Sequence, residues 1–270
     1  MRVGVIIDMD RDIHAKFERL LSMDMNSCQL VSWSEADLTE EMAQLVNQAV
    51  QKYRIDITAF WCGWPGQAVW DFYDGQLTLG LVPHTYRYRR FEVLKKGADF
   101  AKQINVRDVV THVGYMPENP LEPVYREVIL LLKELAAKCQ ENGQRFLFET
   151  GQETPVTLKR AIEDIGADNV GINLDPANLL MYGKGNPVDA LDVFGEYVWG
   201  IHGKDGQYPT DGKNLGLEMP LGKGRVNYPL FIARLKELGY TGDITIEREI
   251  SGDEQVRDIK MAKELLDSLI

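Results

Sequence analysis

The chain has 270 residues, enough to bury one large core, with 44% hydrophobic and 26% charged residues as in an ordinary globular protein. Its formal net charge of -11 argues against a nucleic-acid partner, which calls for a basic face. No apolar run approaches the ~18 residues of a membrane span.

Short β-rich runs alternate with stretches of helical period along the chain. The strands read as 2–8 (RVGVIID), 28–33 (CQLVSW), 55–61 (IDITAFW), 106–114 (VRDVVTHVG), 145–151 (RFLFETG), 169–175 (NVGINLD), 197–205 (YVWGIHGKD) and 243–249 (DITIERE). Between them, 40–53 places Met42, Leu45, Val46, Ala49 and Val50 on one helical stripe, and 124–139 does the same with Val128, Leu131, Leu132 and Leu135. The helical stretch 227–239 ends on Gly239, a residue suited to the position after a helix, and 256–270 closes the chain.

Strand then helix, repeated about eight times in roughly 250 residues, predicts a single α/β domain over 1–270, a closed (β/α)8 TIM barrel. The rival, an open doubly wound sheet, would have fewer strands and often a phosphate turn after the first. Here that strand runs into IIDMDRD, with no GxGxxG. The long loops 62–85 and 206–226 both follow strand C-termini, the catalytic face of a barrel.

The three cysteines, Cys28, Cys62 and Cys139, are odd in number, widely spaced and form no CxxC pair, which predicts reduced thiols. The N-terminal MRVGVIID reads directly as a strand and lacks the layout of a signal peptide, so the expected location is cytoplasmic.

Polar residues recur where strands stop. His112 ends the fourth, Glu149 the fifth and Asp175 the sixth. His202, Lys204 and Asp205 end the seventh, and Glu247 the eighth. Each alone has a plain structural explanation: Asp175-Pro176 can merely start a turn, Glu247 can be solvated, and His202 or His112 can be a hydrogen-bonded core residue. In a barrel, however, these ends meet at one mouth. Three carboxylates and an imidazole in one small volume repel one another unless a divalent cation is shared. The set Glu149, Asp175, His202 and Glu247 is oxygen-rich with one imidazole. It suits Mn2+, Mg2+ or Co2+ better than a structural zinc site, although Zn2+ also accepts such ligands.

The motifs THVG (111–114), FETGQET (148–154), NLDPANLL (173–180), GIHGKDG (200–206), PLGKGRVNYP (220–229) and GYTGDITIERE (239–249) carry a resemblance that spans essentially the whole chain. It resembles the sugar phosphate isomerase/epimerase group of the xylose isomerase-like TIM barrels. That group includes tagatose/psicose 3-epimerases, hydroxypyruvate isomerase, inosose dehydratase and the endonuclease IV type. In the epimerase branch, the residues matching Glu149, Asp175, His202 and Glu247 bind one metal, usually Mn2+ or Co2+. The resemblance therefore implies that Glu149 and Glu247 also act as an acid/base pair. One would remove the proton alpha to a carbonyl and the other would return it, through an enediolate. The implied function is a metal-dependent isomerase or epimerase of a small sugar, sugar phosphate or hydroxy-carbonyl compound. The alternatives are an inosose dehydratase-like reaction on the same scaffold and a non-catalytic sugar-binding protein.

One position departs from the family pattern. DPAN places Asn178 where a histidine often follows the sixth strand; Asn178 can hydrogen-bond a substrate oxygen but cannot carry a proton. The whole chain has 4 histidines, too few for the histidine-rich three-metal cluster of the endonuclease IV type.

The expected partner is a small carbohydrate. Trp61, Trp64 and Trp70 can pack on a sugar's C–H face or form the core of their own loop. In VPHTYRYRR (82–90), Arg87 and Arg90 are expected to reach a carboxylate or phosphate, or else to form a solvated helix start. Lys204 lies two residues beyond His202 and faces the same way, so it can meet a developing oxyanion or pair with Asp205 or Glu153. His112 and Glu153 are expected near substrate. The run LGKGR (221–225) is a weak phosphate-loop signal. Amphipathic outer helices leave a homo-oligomer open.

Overall fold

The computed structural model describes residues 1–270. Eight parallel strands close into a barrel: β1 (Arg2–Asp8), β2 (Ser27–Ser32), β3 (Asp56–Cys62), β4 (Asp108–Thr111), β5 (Arg145–Glu149), β6 (Val170–Leu174), β7 (Val198–Gly203) and β8 (Asp243–Ile246). Each pairs with its sequence neighbours, and β1 closes on β8 with Arg2 opposite Asp243 and Val5 opposite Ile246. One outer helix follows each strand: α1 (Ile13–Ser22), α2 (Glu40–Tyr53), α3 (His84–Gln103), α4 (Pro123–Glu141), α5 (Pro155–Ile165), α6 (Pro187–Phe194), α7 (Tyr228–Glu237) and α8 (Asp253–Leu269). Two short helices, Gly75–Thr78 and Pro176–Met181, lie in loops at the mouth.

The local chemistry explains the boundaries. Thr39, Thr154, Asn186 and Asn227 accept backbone N–H bonds at the starts of α2, α5, α6 and α7, and proline occupies the first turn of α4 to α7. Strands β2, β4, β5 and β6 are buried along their whole length or all but one residue, as expected where helices cover one face and the barrel interior the other.

The interior is layered. At the floor Arg145 pairs with Asp108 (2.5 Å) and lies over the Trp199 ring. Gly171 makes room for that ring, since a Cβ there would fall 2.5 Å from it. Above sit Val31, Ala59, Val110 and Leu147. The main apolar core fills the space between strands and helices. Cys28, Cys62 and Cys139 are buried in it as free thiols. No helix is long and apolar enough to cross a membrane.

Candidate metal centre

Four residues from successive strand ends converge on the top layer of the barrel. Glu149 is the last residue of β5. Asp175 caps the helix Pro176–Met181 directly after β6, with Oδ1 accepting the Asn178 N–H at 2.8 Å. His202 lies in β7, and Glu247 follows β8, its N–H donating to the Gly203 carbonyl at 3.1 Å. One potential ligand atom from each lies within 4.8 Å of all the others. His202 Nδ1 stands 3.1 Å from Glu149 Oε1, 3.0 Å from Glu247 Oε2 and 3.8 Å from Asp175 Oδ2.

The donor set fits a divalent cation. Asp175 Oδ2 and Glu247 Oε2 are buried and accept no well-formed hydrogen bond. Buried carboxylate oxygens left that way are costly unless something cationic completes them. Burial opposes charging of His202, but the carboxylates of Glu149 and Glu247 more than offset it and hold its pKa well above the ordinary value. Burial likewise opposes ionisation of Glu149. The charges of His112 and His202 overcome it and keep this carboxyl ionised.

His202 is aimed from behind. Its Nε2 lies 3.0 Å from Gln29 Oε1, and Gln29 Nε2 donates to Asn173 Oδ1 at 3.0 Å. All three side chains are buried. The acceptor at Nε2 requires a proton there, so Nδ1 is the nitrogen that would ligate a cation once its own proton is displaced. Gly200 permits the chain, because a Cβ there would fall 2.4 Å from Asn173 Oδ1. Alternation along β2 and β6 places Gln29 and Asn173 on the interior face, but nothing in the residue types marks their partnership.

Around this centre opens a cavity of about 790 Å³. Its wall includes His112, Glu149, Asn178, Lys204 and Glu247, together with Trp33, Trp61 and Trp70. Trp61 donates its indole N–H to Glu149 Oε2. His112 Nε2 lies 3.4 Å from the same oxygen, and Asn178 Nδ2 donates to Oε1 at 3.4 Å. Lys204 Nζ stands 3.1 Å from Glu249 and 3.4 Å from Glu247. The expected lysine–Asp205 or lysine–Glu153 pair is therefore replaced by partners from the end of β8.

Three expected substrate contacts lie elsewhere. Trp64 is buried behind the wall, donating to Thr111 Oγ1 at 3.1 Å under the Arg90 guanidinium. Trp33, at the end of β2, takes its place in the cavity. Arg87 is consumed by the scaffold: Nε donates to Leu81 O at 2.9 Å, and the other nitrogens meet Val82 O and Glu127. The first turn of α3 points it at the loop below, which spacing alone could not reveal. Glu153 is buried and does not line the cavity. Neither of its oxygens has a partner, and burial raises its pKa to about 8.

A barrel of this topology with three carboxylates and one imidazole at the C-terminal ends of β5 to β8 defines a class of protein. The chain matches the family model "Xylose isomerase-like TIM barrel" over residues 17–269, and it belongs to that family. A xylose isomerase domain protein from Planctomyces limnophilus is similar at 33% identity, with 99% of this chain and 96% of that one covered and a TM-score of 0.93. A D-tagatose 3-epimerase-like protein shares the fold at 21% identity, with 100% and 97% coverage and a TM-score of 0.75. Among curated proteins, the uncharacterized protein MJ1311 of Methanocaldococcus jannaschii is 26% identical over 188 residues. That match covers 65% of this chain and 60% of the relative's length.

Proposed function

We propose that the chain is a metal-dependent isomerase or epimerase of a small sugar or hydroxy-carbonyl compound. The observation that carries this reading is the convergence of Glu149, Asp175, His202 and Glu247, with two buried carboxylate oxygens that accept no well-formed hydrogen bond, at the floor of a cavity with an aromatic wall. A divalent cation such as Mn2+, held by Glu149, Asp175, His202 and Glu247, would supply polarisation of a carbonyl oxygen and stabilisation of charge developing on it. Glu149 and Glu247 serve as the proton-removing and proton-returning pair. Trp61 and His112 fix the orientation of Glu149. Lys204 holds Glu247 against its wall and offers N–H donors to oxygen bearing charge in the transition state. Asn178 contributes a hydrogen bond but no proton.

The test is incubation of the Mn2+-loaded protein in D2O with a panel of ketoses and inososes, followed by NMR. Deuterium entering beside the carbonyl is the expected result, and its position distinguishes epimerisation from isomerisation. An alkene or dehydrated product would instead point to a dehydratase. Absence of exchange across ligands shown to bind would remove the acid/base roles.

A further inference from the structure

In this fold, phosphate groups are commonly held by the loops after the seventh and eighth strands, on backbone N–H groups. The glycine-rich run 221–225 stands in that region, between β7 and α7. Four backbone N–H groups do converge there, but on the chain's own Asp205. Gly206 N (2.8 Å) and Val226 N (3.0 Å) donate to Oδ1, and Gly222 N and Gly224 N (2.9 Å each) donate to Oδ2. The side chain of Asp205 is fully buried. The loop is shaped to it: Gly222 has a φ of +81°, and a Cβ on Gly224 would fall 2.1 Å from Asp205 Oδ1. Such a nest of N–H groups is what a loop presents to an anion, and here a carboxylate of the protein already fills it.

The cavity offers a phosphate no unpaired cation in exchange. Its lining carries the carboxylates Asp8, Glu149, Glu247 and Glu249 against Lys204, Arg248 and His112, the last already set against Glu149 at 3.4 Å. Lys204 is surrounded by Glu249, Glu247 and Asp175. Arg248 is held by Glu218 at 3.0 Å and Asp258 at 2.8 Å. Lys223 and Arg225 are exposed and outside the lining. A phosphate dianion would therefore meet acidic walls without an unpaired cation. By contrast, Trp33 and Trp70 are 46% and 41% exposed at the rim, ready to cover the C–H face of a neutral sugar.

We propose that the substrate is an uncharged sugar and that Asp205 closes the barrel's phosphate position to ligands; the substrate part rests on the function proposed above. The experiment compares thermal midpoints in chloride and in low-millimolar inorganic phosphate at matched ionic strength, where general salt exclusion is small. It is run on metal-loaded and on chelator-treated protein, so that phosphate on the metal is told apart from phosphate in the loop. The chelator-treated wild type is expected to be indifferent to phosphate. Asp205→Gly is expected to melt lower in chloride and to regain part of the loss, saturably, in phosphate. A phosphate-specific rise in the chelator-treated wild type, or none in the variant, overturns the assignment of Asp205. A second measurement needs no variant: titration of the metal-loaded wild type with D-fructose 6-phosphate, read by tryptophan fluorescence. No saturable quenching is expected, and saturable quenching overturns the substrate class. Neither readout depends on turnover, so a negative deuterium experiment sinks the catalytic reading without deciding this one.

Discussion

Glu149 ends a strand of Phe146, Leu147 and Phe148, yet its two oxygens meet Trp61, His112, Asn178 and His202. In the proposed function, that density of partners orients the carboxylate for proton transfer. Glu149→Gln and Glu247→Gln are expected to lower turnover by at least ~10²-fold, the usual contribution of a placed proton carrier. Circular dichroism should show the barrel intact, and full activity in either variant would end the acid/base assignment. Gln29 acts through His202. Gln29→Leu is expected to weaken Mn2+ binding about 10- to 100-fold, the usual effect of losing the group behind a metal ligand. Calorimetric titration reads this without turnover; unchanged affinity would show that His202 needs no such support. Glu153 makes a pH prediction. Its folded-state pKa of about 8 lies above the ordinary carboxyl value, so the folded chain holds a proton that the unfolded chain has lost. Stability should therefore fall as pH rises from the ordinary carboxyl range through about 8, by up to ~1.4 kcal/mol per unit. Glu153→Gln should flatten that slope in urea denaturation measured at several pH values. A slope unchanged by the substitution would place the titration elsewhere.

At the scale of elements, the two long loops form a roof. Phe72 N donates to Lys213 O at 2.8 Å, and Asp71 bridges to Asn214, so the loop after β3 and the loop after β7 clasp each other beside the cavity. Arg90 of α3 holds the first loop in place. It is fully buried and donates to the carbonyls of Pro65, Gln67, Thr78 and Gly80, between the rings of Trp64 and Tyr86. Arg90→Met keeps a long apolar stem but orphans those carbonyls. At ~1–3 kcal/mol per unsatisfied buried group, a loss of several kcal/mol is expected. Amide exchange should quicken through 65–80, and native protection there would refute the role. Element types were legible because each strand–helix unit carries its own period, cap and turn residues. Boundaries were less so. The apolar run 106–114 reads as one strand, yet β4 stops at Thr111, because Val106 and Val113 are buried in the core without joining the ladder. Gly114, with a φ of +100°, turns the chain away against Leu79.

For the whole molecule, the proposed function makes stability depend on a metal bound by the carboxylate cluster. A ligand that binds only the folded chain adds about 2.7 kcal/mol at 100 times its dissociation constant. Mn2+ is thus expected to raise the thermal midpoint. The gain should be larger at pH 8 than at pH 6, because the raised pKa of His202 makes a proton compete with the metal as pH falls. His202→Ala should lose most of the gain, and an equal gain in that variant would place the metal elsewhere.

The sequence by itself determined the barrel and the four strand-end residues that the barrel brings together, Glu149, Asp175, His202 and Glu247. Both depend on patterns repeated along the chain: period, punctuation, and a polar residue wherever an apolar run stops. The tertiary structure alone decided which other side chains face the cavity. Trp33 lines it and Trp64 does not; Arg87 and Arg90 serve the scaffold; Asp205 fills the loop that resembled a phosphate site. These outcomes turn on side-chain direction and on partners as far as 173 residues apart, as Gln29 and His202 are. A local pattern constrains a residue's face and spacing, but only closure of the barrel brings such distant groups within hydrogen-bonding reach.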